Sequence, residues 1–197
     1  MIKKIGIALA IALFSHTAMA GDVAAHWKIL EDKSAIEWTA TYGDKPVTGS
    51  FPAFTADVAF DVDHVDASRA TVKIDVAKIK SADRDAQDNL PTGDWFAASQ
   101  FPQAVFETTS FKHIKDDQFE VEGTLSVRNK SAKVTLPFTA KFYDDKDASP
   151  PVHYARIQGE TTIKRTAIGV GTGDWSQTDT VHDDVKLVIR LEARQVP

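Results

Sequence analysis

The chain has no cysteine, which excludes disulfides, a thiol nucleophile, thiolate metal sites and a lipid anchor attached through a cysteine. It also lacks the short signatures of common catalytic sites. There is no G-x-S-x-G elbow and no H-E-x-x-H helix, and His26, His64, His113, His153 and His182 are scattered with no H-x-H pair to set two imidazoles on one metal. Asp61, Asp63 and Asp66 cluster, but a calcium loop at that spacing would need an oxygen ligand at Val65, glycine at Asp66 and an acid at Val72. The glycines of Gly169-Val170-Gly171-Thr172-Gly173 lack the G-x-G-x-x-G spacing and follow no βαβ pattern, so hairpin turn geometry explains them better than phosphate binding. No catalytic residue, metal or cofactor is expected. An enzyme would need an acid and a base drawn from His153, His182, Asp183 and Asp184 to meet in space.

Long apolar runs are equally scarce. The only one, Ile5 to Phe14, follows Lys3 and Lys4 and precedes Ala18-Met19-Ala20, the three-part pattern of a cleavable secretory signal. At about ten residues it is half of what a spanning helix needs. The expected organisation is therefore a leader over residues 1–20 and one domain over 21–197, exported to the periplasm. The net charge is −5 and is more negative still without the two leader lysines. Such a balance disfavours nucleic acid and anionic membrane surfaces as partners and leaves neutral apolar ligands open.

What the chain does contain is alternation. Ile36, Trp38, Ala40 and Tyr42 share one side of a period-two run, as do Phe54, Ala56, Val58 and Phe60, then Ala70, Val72, Ile74 and Val76. Gly49 and Pro52 mark a bend or bulge between the first two runs. Phe119 to Val127 and Ala132 to Phe142 flank the turn Arg128 to Lys130 and read as a hairpin. Val152 to Arg165 and His182 to Ala193 close the series. About eight antiparallel strands with one apolar face each imply an all-β fold, a sandwich or a barrel closed on itself; sequential hairpins of about ten residues favour the barrel, with an interior that is either filled or holds one small ligand. Charged residues in mid-strand on the other face argue against a membrane barrel.

One stretch breaks the alternation. Ser81 to Phe106 reads as a short helix capped by Ser81, with Asp83 and Asp85 near its positive end, followed by Pro91 to Gly93 and the crowded rings Trp95, Phe96 and Phe101. Residues 81–98 are expected to form a helical cap over the barrel. The aromatic surplus of Trp38, Phe51, Phe54, Phe60, Trp95, Phe96, Phe101, Phe106 and Trp175 has two readings: a solid core, or the wall of a cavity for one long apolar molecule, with Trp38, Phe51, Phe54, Trp95, Phe96 and Phe106 as wall and Arg84 at the rim to orient a polar head.

These residues together resemble the YceI-like family of secreted, lipocalin-like barrels. The resemblance rests on Trp27, Ser34-x-Ile36, Gly49-x-Phe51-x-x-Phe54 and Phe60-Asp61. It continues with Arg84-Asp85 through Leu90 to Asp94-Trp95-Phe96, then Phe101-Pro102-x-Ala104-x-Phe106, Gly123 to Arg128, Arg165, Gly169 and Val181-x-Asp183-x-Val185. It implies a periplasmic, non-enzymatic protein that binds a polyisoprenoid or isoprenoid quinone in the barrel, with Leu90 and Ile168 added to the wall. Three positions depart from the family pattern: Trp95-Phe96 replaces a Phe-Phe pair, Asn129 a glycine, and Ile168 an aromatic. Some relatives accompany b-type cytochromes, so the alternative is an interaction or structural domain with a filled core that partners a membrane complex. Oligomeric state, a dimer included, stays open.

Overall fold

The computed structural model describes residues 24–196, and the leader expected over residues 1–20 lies outside them. Within that range the chain forms β1 (His26–Ile29), β2 (Ala35–Tyr42), β3 (Lys45–Ser50), β4 (Phe54–Ala59), β5 (Arg69–Asp75) and β6 (Lys80–Ser81). After α1 (Arg84–Asn89) come the longer strands β7 (Gln103–Lys115), β8 (Gln118–Val127), β9 (Lys130–Asp145), β10 (Val152–Lys164) and β11 (Asp184–Val196). All pairings are antiparallel, and the pairing of β1 with β11 closes the sheet.

The short strands are halves of longer ones. β11 pairs with β2 through Lys186 to Arg190 and with β1 through Ala193 to Val196. β3 and β4 pair in turn with β2 and β1, and β6 and β5 with β3 and β4. Three broken strands and five continuous ones thus make an eight-stranded barrel. Each break has a local cause. Between β1 and β2 the Ser34 hydroxyl donates to Leu30 O (2.7 Å) and accepts from Glu192 N (3.1 Å), filling the gap in the ladder. Between β3 and β4 lies Pro52, which has no N–H to give. After β5 the Asp75 carboxylate accepts from Ala77 N and turns the chain into a single 3₁₀ turn.

Apolar side chains point inward along the long strands, while the outer face carries cross-strand ion pairs such as Lys186–Glu160 (2.9 Å), Lys164–Asp184 (2.6 Å) and Arg190–Glu37. That polarity is opposite to the apolar outer face of a lipid-facing barrel. Two inward glycines admit large rings. Trp38 lies over Gly49, its register partner, where a Cβ would come within 2.3 Å of the ring and 2.0 Å of Lys80 O. Phe106 lies over Gly123, where a Cβ would come within 2.5 Å of Cζ.

At one end, residues 82–102 cover the gap between β6 and β7. The helix begins later than the sequence suggests: its cap is Asp83, whose carboxylate accepts from Ala86 N (2.8 Å), whereas Ser81 ends β6. Ser81 had the right side chain, but its backbone is held in the sheet by Gly49. Two arginines fasten the cap and the loop after β10. Arg128 donates from Nη1 to Trp95 O and Gly169 O, both at 3.0 Å. Arg165, only 2% exposed, donates from Nε to His182 O, from Nη1 to Val170 O, and from Nη2 to Gln177 O and Val181 O. The loop after β10 wraps around this guanidinium, with Gly169, Gly171 and Gly173 at positive φ.

Two outcomes follow from these contacts. Gly49→Ala should destabilise by about 2 kcal/mol, since the methyl meets backbone on one side and a ring on the other, a loss measurable by urea unfolding. Arg165→Met should cost about 3 kcal/mol or more because it strands four carbonyls, and amide exchange should show the loss first in residues 165–183.

Candidate ligand-binding site

The interior of the barrel is hollow in two places. The larger cavity, about 210 Å³, lies in the middle and far half of the barrel and is lined by residues such as Trp27, Phe54, Val72, Phe106, Leu136 and Phe142. The smaller, about 110 Å³, lies under the cap, among Trp38, Phe51, Leu90, Trp95, Phe96 and Ile168. Ile36, Ile74, Leu125 and Leu187 border both, so one layer of side chains separates them. The exposed surface of both is carbon throughout. A dry apolar cavity of about 150 Å³ is enough to take a benzene ring, so the larger space exceeds that scale and the smaller falls somewhat short of it. From Ala132 to Phe142 the inward side of β9 runs for about 25 Å along the barrel axis, at roughly 3.3 Å per residue and a tilt of about 40°.

The far end is a ring of aromatic residues. Phe60 packs against Phe111, Phe119 and Phe142 with centroids 5.5–6.1 Å apart, and Trp27 lies 5.7 Å from Phe142. His113 stacks on Phe119 at 4.7 Å and covers it. Phe142 alone of these rings both borders the large cavity and is substantially exposed, at 40%.

The cap end is closed by stronger interactions. Phe51 and Phe96 meet edge to face at 6.1 Å, Trp95 packs on Trp175 at 5.4 Å, and the Arg165 guanidinium lies over the Trp95 ring at 5.7 Å. Burial pushes the Arg165 pKa below its ordinary value, partly opposed by the Asp183 carboxylate. Burial also acts on Asp183, in the upward direction, but the Thr166 N–H (3.0 Å) and hydroxyl (2.8 Å) outweigh it and hold the carboxyl below its usual value. The Trp38 and Trp95 indole Nε1 atoms are buried with no hydrogen-bond partner among the described residues.

The apolar residues singled out from the sequence all border these spaces: Phe54 and Phe106 the large cavity, Trp38, Phe51, Leu90, Trp95, Phe96 and Ile168 the small one. Arg84 does not. Its side chain is 93% exposed and lies 4.0 Å from Asp88, in the first turn of α1. Of the far-end rings, Phe60 belonged to the aromatic surplus, whereas Phe111, Phe119, Phe138 and Phe142 were not singled out, although the strict alternation of β8 and β9 places Phe119, Phe138 and Phe142 inward. Arg165 was legible in the same way, as the next inward position after Ile157, Gly159, Thr161 and Ile163.

The acid and base candidates stand at two ends of the barrel. His153 pairs with Asp144 (2.7 Å) on the exposed far end of β10, while His182 and Asp183 stand at the opposite end, where β11 begins. Asp61 accepts from Asp63 N and His64 N within its own turn. Among the described residues no three histidine or acidic side chains converge as metal ligands.

Comparison with known proteins agrees with this architecture. A UPF0312 protein of Pseudomonas putida strain F1 is 28% identical over 90% of this chain and 93% of its own. The crystal structure of Burkholderia cenocepacia BcnA superposes with a TM-score of 0.75 at 29% identity, covering 83% of this chain and 98% of that one. A polyisoprenoid binding domain from Saccharophagus degradans shares the fold at a TM-score of 0.60 and 10% identity, over 88% and 99% of the two chains. The family model described as the YceI-like domain matches residues 27–193, so the chain belongs to the YceI-like family.

Proposed function

We propose that this protein is a periplasmic, non-enzymatic carrier or sequestering protein for a long-chain apolar lipid of the polyisoprenoid class, isoprenoid quinones included. The observation that carries this reading is the pair of carbon-walled cavities aligned along the barrel axis and separated by one layer of side chains. A solid interaction domain would have no reason to keep them. The polyisoprenoid binding domain of the same fold supports the ligand class, and the export signal expected at the N-terminus supports the location.

The energetics favour a chain over a compact ligand. Each ~100 Å² of apolar ligand surface withdrawn from water is worth about 2.5 kcal/mol, and a linear chain can fill both lobes by displacing the side chains between them. Entry past Phe142 needs the movement of one partly exposed ring. Entry through the cap would break the Arg128 bonds to Trp95 O and Gly169 O.

Protein released by osmotic shock from its native cells and extracted with organic solvent should yield an isoprenoid lipid by mass spectrometry, at close to one per chain. Absence of the protein from that fraction would overturn the location. A lipid-free protein that also fails to bind an apolar fluorescent probe saturably would overturn the carrier reading. The waist between the lobes offers a sharper measurement. Leu125→Trp, or Ile74→Phe if the first does not fold, should weaken binding of a long isoprenoid at least about tenfold while a short apolar probe still binds. The threshold corresponds to losing roughly 1.4 kcal/mol of chain burial. Unchanged long-chain affinity in a folded variant would show that the chain does not thread the waist.

A further inference from the structure

We infer that the far end of the barrel docks on the surface of a zwitterionic phospholipid bilayer, with Val62, Ile114 and Phe142 entering the interfacial layer and Lys28 and Arg194 meeting lipid phosphate. This rests on the carrier reading and adds to it the place where cargo is exchanged: the end that carries Phe142 faces the membrane, and the cap faces away from it.

Five large apolar side chains stand exposed among the described residues, and four of them, Val62, Ile114, Phe142 and Tyr143, belong to the far end. Val62 lies in the turn between β4 and β5, two residues past Phe60; Ile114 is the next-to-last residue of β7; Phe142 and Tyr143 lie near the end of β9. The fifth, Tyr42, ends β2 at the cap end, where it bridges to Val181. Singly exposed apolar residues are ordinary, but their gathering on three separate segments of one rim marks a surface that something covers. Phe142 ties that rim to the interior, since it also borders the large cavity. The cargo decides what covers it. An isoprenoid chain that crossed water would expose its whole apolar surface, whereas one passing directly between the acyl layer and the barrel would not, so the end that admits the chain must touch the layer that holds it.

A second observation comes from the outer face of the same rim. There Tyr143, Tyr154, Arg194 and Lys28 are successive cross-strand partners on β9, β10, β11 and β1. The tyrosines stack at 5.4 Å, and the Tyr143 hydroxyl donates to the Glu192 carboxylate. Lys28 and Arg194 are both exposed, and among the described residues neither enters an ion pair. Like charges directly opposite one another destabilise a sheet, and an anion brought against both relieves them. Lipid phosphate lies at the membrane–water interface, the layer that tyrosine also favours. Asp144, Asp145 and Asp147 follow in the next hairpin and oppose a surface of net negative charge, so the matching surface carries both signs, phosphate and ammonium.

The chain has no cysteine, so one introduced thiol can carry an environment-sensitive fluorophore. Labels at Val62→Cys and Ile114→Cys should shift to shorter wavelength when vesicles of phosphatidylethanolamine and phosphatidylcholine are added. A label at Thr178→Cys, exposed in the loop that cages Arg165 at the cap end, should not. In flotation with the same vesicles, the double variant Val62→Asp, Ile114→Asp should associate at least about tenfold more weakly than the unaltered protein, while its affinity for an apolar fluorescent probe in solution should not change, since neither residue borders either cavity. Lys28→Gln with Arg194→Gln should weaken association several-fold, and replacing part of the lipid by phosphatidylglycerol should not strengthen it. The rate at which a fluorescent isoprenoid leaves the loaded protein should rise in proportion to vesicle concentration. Unshifted rim labels, an equal shift at Thr178→Cys, association that requires phosphatidylglycerol, or a release rate independent of vesicle concentration would overturn the docking face and leave the carrier reading standing. Rim labels that shift with protein concentration alone, with a doubled mass in ultracentrifugation, would overturn it in favour of a second copy of the chain. Rim labels that shift with vesicles in a protein that takes up no isoprenoid would overturn the carrier reading alone.

Discussion

Arg165 sits where the alternation of β10 would place an apolar side chain, facing the barrel interior, and the structure at this end is arranged around keeping its charge there. A buried cation without a partner is untenable, and no carboxylate reaches it. Instead the loop after β10 bends back so that the carbonyls of Val170, Gln177, Val181 and His182 converge on the guanidinium. The bend depends on Gly171, where any Cβ would lie 2.2 Å from Nη1 and where φ is +79°. One side chain thus satisfies four carbonyls that a loop packed on an apolar core would otherwise bury unpaired.

The cap depends on that loop in turn. Thr172 N donates to Asp94 O at 2.7 Å, and Arg128 links Trp95 O to Gly169 O, so the segment that seals the barrel is fixed by the segment that cages Arg165. Trp95 joins the two, lying against the guanidinium on one side and bordering the cavity on the other. The same arrangement explains why β6 can be only two residues long: past Ser81 the gap to β7 is filled by the cap rather than by further pairing.

The fold was legible because period-two alternation survives in every long strand and charges occupy the opposite face. What alternation cannot show is a strand too short to establish a period, and β1, with only His26–Ile29, was missed for that reason. The helix cap was misplaced by two residues because Ser81 and Asp83 are equally good caps by composition, and only the pairing of Ser81 with Gly49 decides between them. Arg84 follows Asp83 directly and stands exposed beside Asp88, an ion pair of little energetic consequence. The wall was readable because large rings in a small barrel have few other places to go. The unpaired indole donors were not, since whether a buried N–H finds a carbonyl depends on angles that no sequence pattern records.

Hollowness is itself a statement about the ligand. By the scale of mutational cavities, about 24 cal/mol per Å³, the larger space alone corresponds to about 5 kcal/mol relative to a filled interior, a substantial share of a typical domain's stability. Leucine or phenylalanine at Ala56, Ala70 or Ala155, all of which border it, would fill much of that volume. A ligand that occupies the space returns the lost contacts and stabilises the folded chain in proportion to its concentration over its Kd. The carbon wall encodes little beyond length and girth, because dispersion and hydration do not distinguish one apolar chain from another.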